Sequence, residues 1–205
     1  MHIIDQFQDI PTTCISDAMG GMGNLDSSIA PLKGNYRVAG RAFTVKMPVG
    51  DNLMVLQAIK EAKPGDVLVI DAKGDTYRAV AGDFILGMAQ TMGIQGVIAD
   101  GVIRDITGVK ELNFPVFCRG TTVAASAKTG AGEVNVPISC AGVAVNPGDI
   151  VVGDADGVVV VPRQQEKAML EKSIEKINKD EKREASVAGD KDKILAYLDD
   201  MLSIG

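Results

Sequence analysis

Apolar positions recur every three or four residues in some stretches of the chain and alternate or run together in others, a mixture that predicts an α/β protein. The clearest case is residues 82–105, GDFILGMAQTMGIQGVIADGVIRD. Ile85, Met88, Ala89 and Met92 fall at helical spacing, and Gly93 stands where the helix stops. Val97, Ile98 and Ala99 form the short apolar run of a buried strand, and Asp100-Gly101 reads as a turn ahead of Arg104-Asp105. A helix about ten residues long, returned by a strand, places its start beside the strand's far end. Asp83 can then face Arg104 and Asp105 across one cleft.

Upstream, IPTTCISDAMGGMG predicts a helix capped by Thr12 or Thr13, with Ile15, Ala18 and Met19 inward and Gly20-Gly21 as its stop. Asp17 is better read as a polar residue on that helix than as a site residue. In YRVAGRAFTVKMP, Val38, Ala42, Thr44 and Lys46 alternate as in a strand; DNLMVLQAIKEAKPGD predicts a helix closed by Pro64-Gly65. VLVIDAKG, residues 67–74, reads as a buried strand running into a turn, and FPVFCRGTT as another strand. KPGDVLVIDAKG at 63–74 resembles NPGDIVVGDADG at 146–157, which predicts two similar strand–turn units in one β-rich core. From Arg163 to residue 205 the composition turns charged. Leu170, Ile174 and Ile177, then Ile194, Leu195, Leu198, Met201 and Leu202, make narrow apolar stripes. Such stripes predict terminal helices lying over the body or against a neighbouring subunit.

At 205 residues the chain suits one domain with a substantial core. Aromatics at 4% and a net charge of -6 argue against nucleic-acid binding, whether by stacking or along a polyanion. No stretch is apolar for long enough to span a membrane, and MHIIDQFQDI lacks the layout of a signal peptide. Cys14, Cys118 and Cys140 are odd in number and far apart, which fits a reducing, cytoplasmic setting better than a disulfide framework or a zinc site. The only histidine, His2, is near the terminus, so a histidine-based triad or histidine-rich metal site is not expected. Metal chemistry here would use oxygen ligands, which favours Mg²⁺ or Mn²⁺.

Gly130-Ala131-Gly132 lacks the continuation of a phosphate loop and reads as a turn or bulge. Asp154-Ala155-Asp156-Gly157 lacks the downstream glutamate of a calcium loop and reads as a turn between strands. Asp83, Arg104 and Asp105 stand out because each closes an otherwise apolar element, where a charge needs a partner or a ligand. They form either a buried salt bridge or a metal carboxylate site beside an arginine whose planar fork matches a substrate carboxylate. Lys110 and Lys128, the lysines nearest the motif, sit in polar or turn-like settings unsuited to a Schiff base.

Residues 82–105, with SDAMGG, FPVFCRG, GEVNVPISCAGVAVNPGDIVVGDADGVVVVP and the charged C-terminal helix, resemble the RraA-like superfamily over roughly residues 10–190. The likeness is to its class II 4-hydroxy-4-methyl-2-oxoglutarate / 4-carboxy-4-hydroxy-2-oxoadipate aldolases, whose pattern is an Asp, twenty residues, then Arg-Asp. The regulator branch, which inhibits ribonuclease E, typically lacks that set, so its presence favours catalysis. The resemblance implies a single-domain β/β/α swivelling fold with a β-rich core and C-terminal helices. It implies a trimer or hexamer with intersubunit active sites and a 2-oxo acid substrate. Asp105 would ligate the divalent ion and Asp83 would reach it through water. Arg104, with Gly82 and the backbone N–H groups of Phe84 and Ile85, would bind the substrate. An acidic side chain from a neighbouring subunit, with Glu181 the nearest match and Asp180 and Glu184 close by, would complete the catalytic set.

Overall fold

In a computed structural model, residues 3–203 are described; His2 and the last two residues fall outside them. Helices α1 (Ile3–Gln8) and α2 (Thr12–Ala18) lead to β1 (Ala30–Pro31) and the long strand β2 (Val38–Lys46). Three helix–strand units follow: α3 (Leu53–Glu61) with β3 (Asp66–Ala79), α4 (Asp83–Thr91) with β4 (Gly96–Ile103), and α5 (Ile106–Glu111) with β5 (Val116–Thr121). Short β6 (Ala124–Ala125) and β7 (Glu133–Val134), then β8 (Ile138–Cys140) and β9 (Val143–Val145), precede β10 (Ile150–Asp154) and β11 (Gly157–Val161). Helices α6 (Glu166–Val187) and α7 (Lys191–Ser203) end the described chain.

The main sheet runs β1-β5-β4-β3-β2-β10-β11, with β2 to β5 parallel and β1, β10 and β11 antiparallel to their neighbours. The segment before β1 reaches β11: the Leu25 N–H donates to Val158 O and the Val160 N–H to Gly23 O. The sheet is thereby nearly closed. Alternate residues divide its two faces. Val67, Val69, Ile98 and Phe117 point into the interior with Ile29 and Val151. Leu68, Ile70, Val97 and Val116 point outward to Leu86 and Ala89 of α4 and Val55 and Ala58 of α3. Another flank, carrying Ile150, Val152 and Val161, is covered by Phe7, Ile15, Met169 and Leu170 of α1, α2 and α6. The first halves of β3 and β5 and all of β4 are buried on both faces, which is why they read as continuous apolar runs.

The paired strand–turn units flank β2 on its two sides, β3 parallel and β10 antiparallel. Their Pro-Gly-Asp turns are alike: the Lys63 N–H donates to Asp66 Oδ2 and the Asn146 N–H to Asp149 Oδ2, each at 2.8 Å. The glycines, Gly65 and Gly148, take left-handed φ of 94° and 84°, the region where a side chain would be strained.

Four local expectations are corrected. Asp100-Gly101 is not a turn, because β4 runs on through Ile103 and is buried at every position. Its charge is tolerated because Arg119 Nε donates to Asp100 Oδ1 at 2.5 Å and the Ala141 N–H to Oδ2 at 2.9 Å. Likewise β3 does not stop at Gly74 but bends there, with Lys73 and Gly74 at φ of 59° and 68°, and continues to Ala79. Neither Thr12 nor Thr13 caps α2; Pro11 occupies that position. The turn acid Asp154, buried, accepts from the Thr12 N–H at 2.9 Å and the Thr12 hydroxyl at 2.6 Å, so it ties α2 to the β10–β11 hairpin. On α4 the buried face is Leu86 and Ala89, while Ile85 and Met88 are half-buried and Met92 is exposed. The helix thus turns Leu86 and Ala89 to the sheet and leaves Ile85, Met88 and Met92 at the margin of that face.

Asp17 behaves as expected of a surface residue and pairs with Lys176 at 3.0 Å. The glycines at 130 and 132 fall in a loop, both at positive φ.

Candidate active site

The unit α4–β4 does bring the two ends of its sequence together. Asp83 is the first residue of α4, and Arg104 and Asp105 follow β4 directly. The Arg104 N–H donates to Ala81 O at 3.1 Å and the Val80 N–H to Val102 O at 2.9 Å, so the strand end is bonded to the segment leading into the helix. Asp105 is held in the left-handed region at φ 56°, ψ 42°. That conformation is uncommon outside glycine, though aspartate tolerates it better than most, and such positions concentrate at functional sites.

These residues line a pocket of about 230 Å³, together with Gly82, Phe84, Ile85 and Met88 of the α4 end. Arg104 Nε lies 3.2 Å from Asp105 Oδ2, with the two side chains 43% and 44% exposed. A buried, self-satisfied salt bridge is therefore not what forms. The carboxylates are closely approached by glycines: a Cβ on Gly82 would sit 2.2 Å from Asp105 Oδ2, and one on Gly108 would sit 2.5 Å from Asp83 Oδ2. Gly82 and Gly108 thus leave the space in which the two acids turn.

The first turn of a helix carries N–H groups without intrahelical acceptors and a partial positive charge. The Phe84 N–H is already taken by Asp83 Oδ1 at 2.7 Å. It becomes available to a bound anion only when that carboxylate rotates away. Asp83 and Asp105 are the groups able to hold a cation here, and among the described residues no cluster of three or more His, Cys, Asp or Glu forms a metal cage. Two carboxylates, with water and substrate oxygens completing the shell, suit Mg²⁺ or Mn²⁺.

Asn52, Ser126 and Lys128 also line the pocket, and none was identified as a site residue from sequence. Asn52 is buried; its Nδ2 donates to Val80 O at 3.2 Å while its Oδ1 has no partner. Lys128, expected in a polar or turn-like setting near the motif, stands in the loop after β6 and lines the pocket. The Ala127 N–H donates to Gly50 O at 2.8 Å, which folds that loop over the site. Next door, buried Asp51 accepts from the Thr129 hydroxyl at 2.5 Å, from the Thr129 N–H and from the Leu53 N–H at 2.8 Å. Burial raises the Asp51 pKa, but the Thr129 hydroxyl and the Leu53, Thr129 and Gly130 N–H groups outweigh it and hold the value below the usual 3.8.

A lowered carboxylate pKa stabilises the fold above the unfolded value and loses that contribution as pH falls through the folded one. Thr129→Val should therefore lower stability by about 1–3 kcal/mol at pH 7. The gap between variant and wild type should narrow as urea midpoints are followed down below pH 3.8.

Lys110 does not line the pocket. Glu181 is exposed on α6, makes no ion pair among the described residues and does not line the pocket of its own chain, whereas Asp180 is paired with Lys176 and Arg183. The thiols are not nucleophiles in waiting: burial pushes the Cys118 pKa up to about 11 and raises that of Cys140 as well.

The sequence profile of the RraA-like family, described as Aldolase/RraA, matches residues 12–160. The chain belongs to this family. A relative from Halalkalibacterium halodurans, named "Putative 4-hydroxy-4-methyl-2-oxoglutarate aldolase", is 59% identical over 98% of this chain and 96% of its own. An uncharacterized protein from Pseudomonas syringae pv. tomato superposes with a TM-score of 0.83 at 28% identity, covering 96% of this chain and 92% of that one. The RNA-processing inhibitor RraA from Thermus thermophilis gives a TM-score of 0.69 at 32% identity, covering 75% of this chain and 93% of that one. The fold is thus the RraA-like α/β fold, with the C-terminal helices lying beyond the matched residues. Among the described residues no helix is long and apolar enough to cross a membrane.

Proposed function

We propose that this chain is a divalent-metal-dependent lyase that cleaves 4-hydroxy-2-oxo acids to pyruvate, with decarboxylation of oxaloacetate as a side activity. The observation that carries the reading is the convergence of Asp83, Arg104 and Asp105 on one open pocket at the start of α4. The name of the 59% identical relative supports the aldolase part of it.

Asp105 would hold Mg²⁺ or Mn²⁺ directly and Asp83 through water. The ion, when bound, supplies Lewis-acid polarisation of the 2-keto group. Arg104 grips the carboxylate and keto oxygen in a planar fork, and the start of α4, at Gly82, Phe84 and Ile85, receives the same carboxylate. Phe84 contributes its N–H once Asp83 has turned away from it. As the C3–C4 bond breaks, its electron pair stays on C3 as the pyruvate enolate. The 4-hydroxyl proton passes to water or a carboxylate, the C4 fragment leaves as a carbonyl compound, and the enolate then takes a proton at C3. Loss of CO₂ from oxaloacetate generates the same enolate. Lys128 adds a second cation to the pocket, which suits a substrate with a second carboxylate. Glu181 can serve this chemistry only from a neighbouring copy of the chain, in a homotrimer or hexamer of the cytoplasm.

Pyruvate release from 4-hydroxy-4-methyl-2-oxoglutarate and from oxaloacetate tests the reading. Turnover should vanish with EDTA and return with Mg²⁺ or Mn²⁺. EDTA-resistant turnover with a borohydride-trapped pyruvate adduct would defeat it in favour of a lysine. No turnover, together with tight binding to ribonuclease E, would favour a non-catalytic regulator.

A further inference from the structure

The loop that carries Lys128 to the pocket has little stiffness of its own. It leaves β6, two residues paired with Arg78 and Ala79 of β3, and runs into Thr129-Gly130-Ala131-Gly132. Gly130 and Gly132 take positive φ, 84° and 138°, and such glycines lose much conformational freedom on being ordered. Ahead of Lys128 the chain is tied through Ser126 Oγ, which donates to Ala79 O at 2.7 Å, and through the Ala127 N–H to Gly50 O. The Asn52 N–H donates back to Ala127 O at 3.1 Å. Beyond Lys128 the tie is the Asp51 side chain.

Asp51 is buried and lines no part of the candidate active site, yet it stands between two residues' worth of it. Its Oδ1 accepts from the Leu53 N–H at the start of α3, next to Asn52. Its Oδ2 accepts from both the hydroxyl and the N–H of Thr129, next to Lys128. Because N–H and O–H donors fill both oxygens, Asp51 does not compete with a ligand for the Lys128 ammonium. Lys128 itself is exposed and makes no ion pair among the described residues. Its charge sits on a long flexible stem, so fixing the backbone beneath it lowers the entropy lost when it grips an anion.

We propose that the Asp51–Thr129 clasp is a positioning device that gives the pocket its preference for 2-oxo acids bearing a second carboxylate, by holding Lys128 where that carboxylate falls. Arg104 takes the first carboxylate and Lys128 the second; Asp51 and Thr129 touch neither and act through Lys128. The inference rests on the pocket being a site for 2-oxo acids, though not on cleavage of the C3–C4 bond.

Calorimetric binding of 2-oxoglutarate and 2-oxopentanoate, with Mg²⁺ present, tests it. The two share one carbon chain and differ in the terminal carboxylate, and neither has the 4-hydroxyl that cleavage needs. The wild type should bind 2-oxoglutarate about tenfold or more tightly than 2-oxopentanoate, the worth of one hydrogen bond to a charged group. Thr129→Val should abolish that preference by weakening 2-oxoglutarate alone, the unchanged affinity for 2-oxopentanoate showing an intact site. Thr129→Ser, which keeps the hydroxyl, should retain the preference. Lys128→Ala should abolish it too, and adding Thr129→Val to that variant should change nothing further. A Thr129→Val chain that keeps the preference, or that weakens both ligands alike, overturns the proposal. So does a further loss in the Lys128→Ala background, since the clasp would then act by another route. Equal binding of the two acids by the wild type defeats the clasp and leaves the lyase reading standing, whereas binding of neither defeats both. The expected preference without any release of pyruvate from 4-hydroxy-4-methyl-2-oxoglutarate would support the clasp and remove the lyase.

Discussion

Arg104→Lys is expected to lower kcat/KM for pyruvate release by roughly a hundred- to a thousandfold, about 3–4 kcal/mol of transition-state stabilisation, with the melting temperature unchanged. The side chain is 43% exposed and its one ion pair, to Asp105, is half-solvated, so little stability is at stake. Lysine keeps the positive charge but presents a point donor in place of a fork. The loss should appear mainly in kcat, because negative charge grows on the keto oxygen as the C3–C4 bond opens, and a second cation, Lys128, still attracts the dianionic substrate to the pocket. Steady-state kinetics with saturating Mg²⁺ check this. A variant within threefold of wild type would remove Arg104 from the mechanism.

The difference between what was legible in the sequence and what was not follows from how each residue reaches the site. Asp83, Arg104 and Asp105 belong to one helix–strand unit, so the period of its apolar residues and the length of each element sufficed to bring them together. Asn52 and Lys128 come from the start of α3 and from the loop after β6. Their places depend on tertiary bonds, Asn52 Nδ2 to Val80 O and the Ala127 N–H to Gly50 O, that no local pattern encodes. Asp100 misled for a related reason. An Asp-Gly pair signals a turn unless a distant group satisfies the acid, and Arg119, nineteen residues on, does so. The paired units around β2 were legible because each carries its own turn chemistry within four residues. The exposure of Met92 was not, since helical spacing shows which residues share a face but not how far that face is covered.

Gly108→Ala should separate stability from activity. Gly108 lies inside α5, where alanine is favoured over glycine by up to about 1 kcal/mol, so the variant should melt at or slightly above the wild-type temperature. Its Cβ would stand 2.5 Å from Asp83 Oδ2 and 3.0 Å from Asp83 Cβ. Turning the carboxylate relieves the Oδ2 contact and moves the acid out of the pocket, while the Cβ contact is met by a shift of a few tenths of an ångström between α4 and α5 that leaves the fold intact. Gly82→Ala acts on the other carboxylate, with its Cβ 2.2 Å from Asp105 Oδ2 and 3.3 Å from Arg104 Cγ. The backbone of Gly82, at φ -134°, is open to any residue, so the effect is one of space alone. If Asp105 is the direct metal ligand and Asp83 the indirect one, the two variants differ in kind. Gly82→Ala should raise the Mg²⁺ concentration needed for half-maximal rate by about tenfold or more, in the range expected when a ligand's support is lost. Gly108→Ala should leave that concentration nearly unchanged while kcat falls by a similar factor. Metal titrations of the rate, read beside thermal melts, decide it. An inverted pattern would exchange the roles of the two acids, and unchanged kinetics in both would place the chemistry elsewhere.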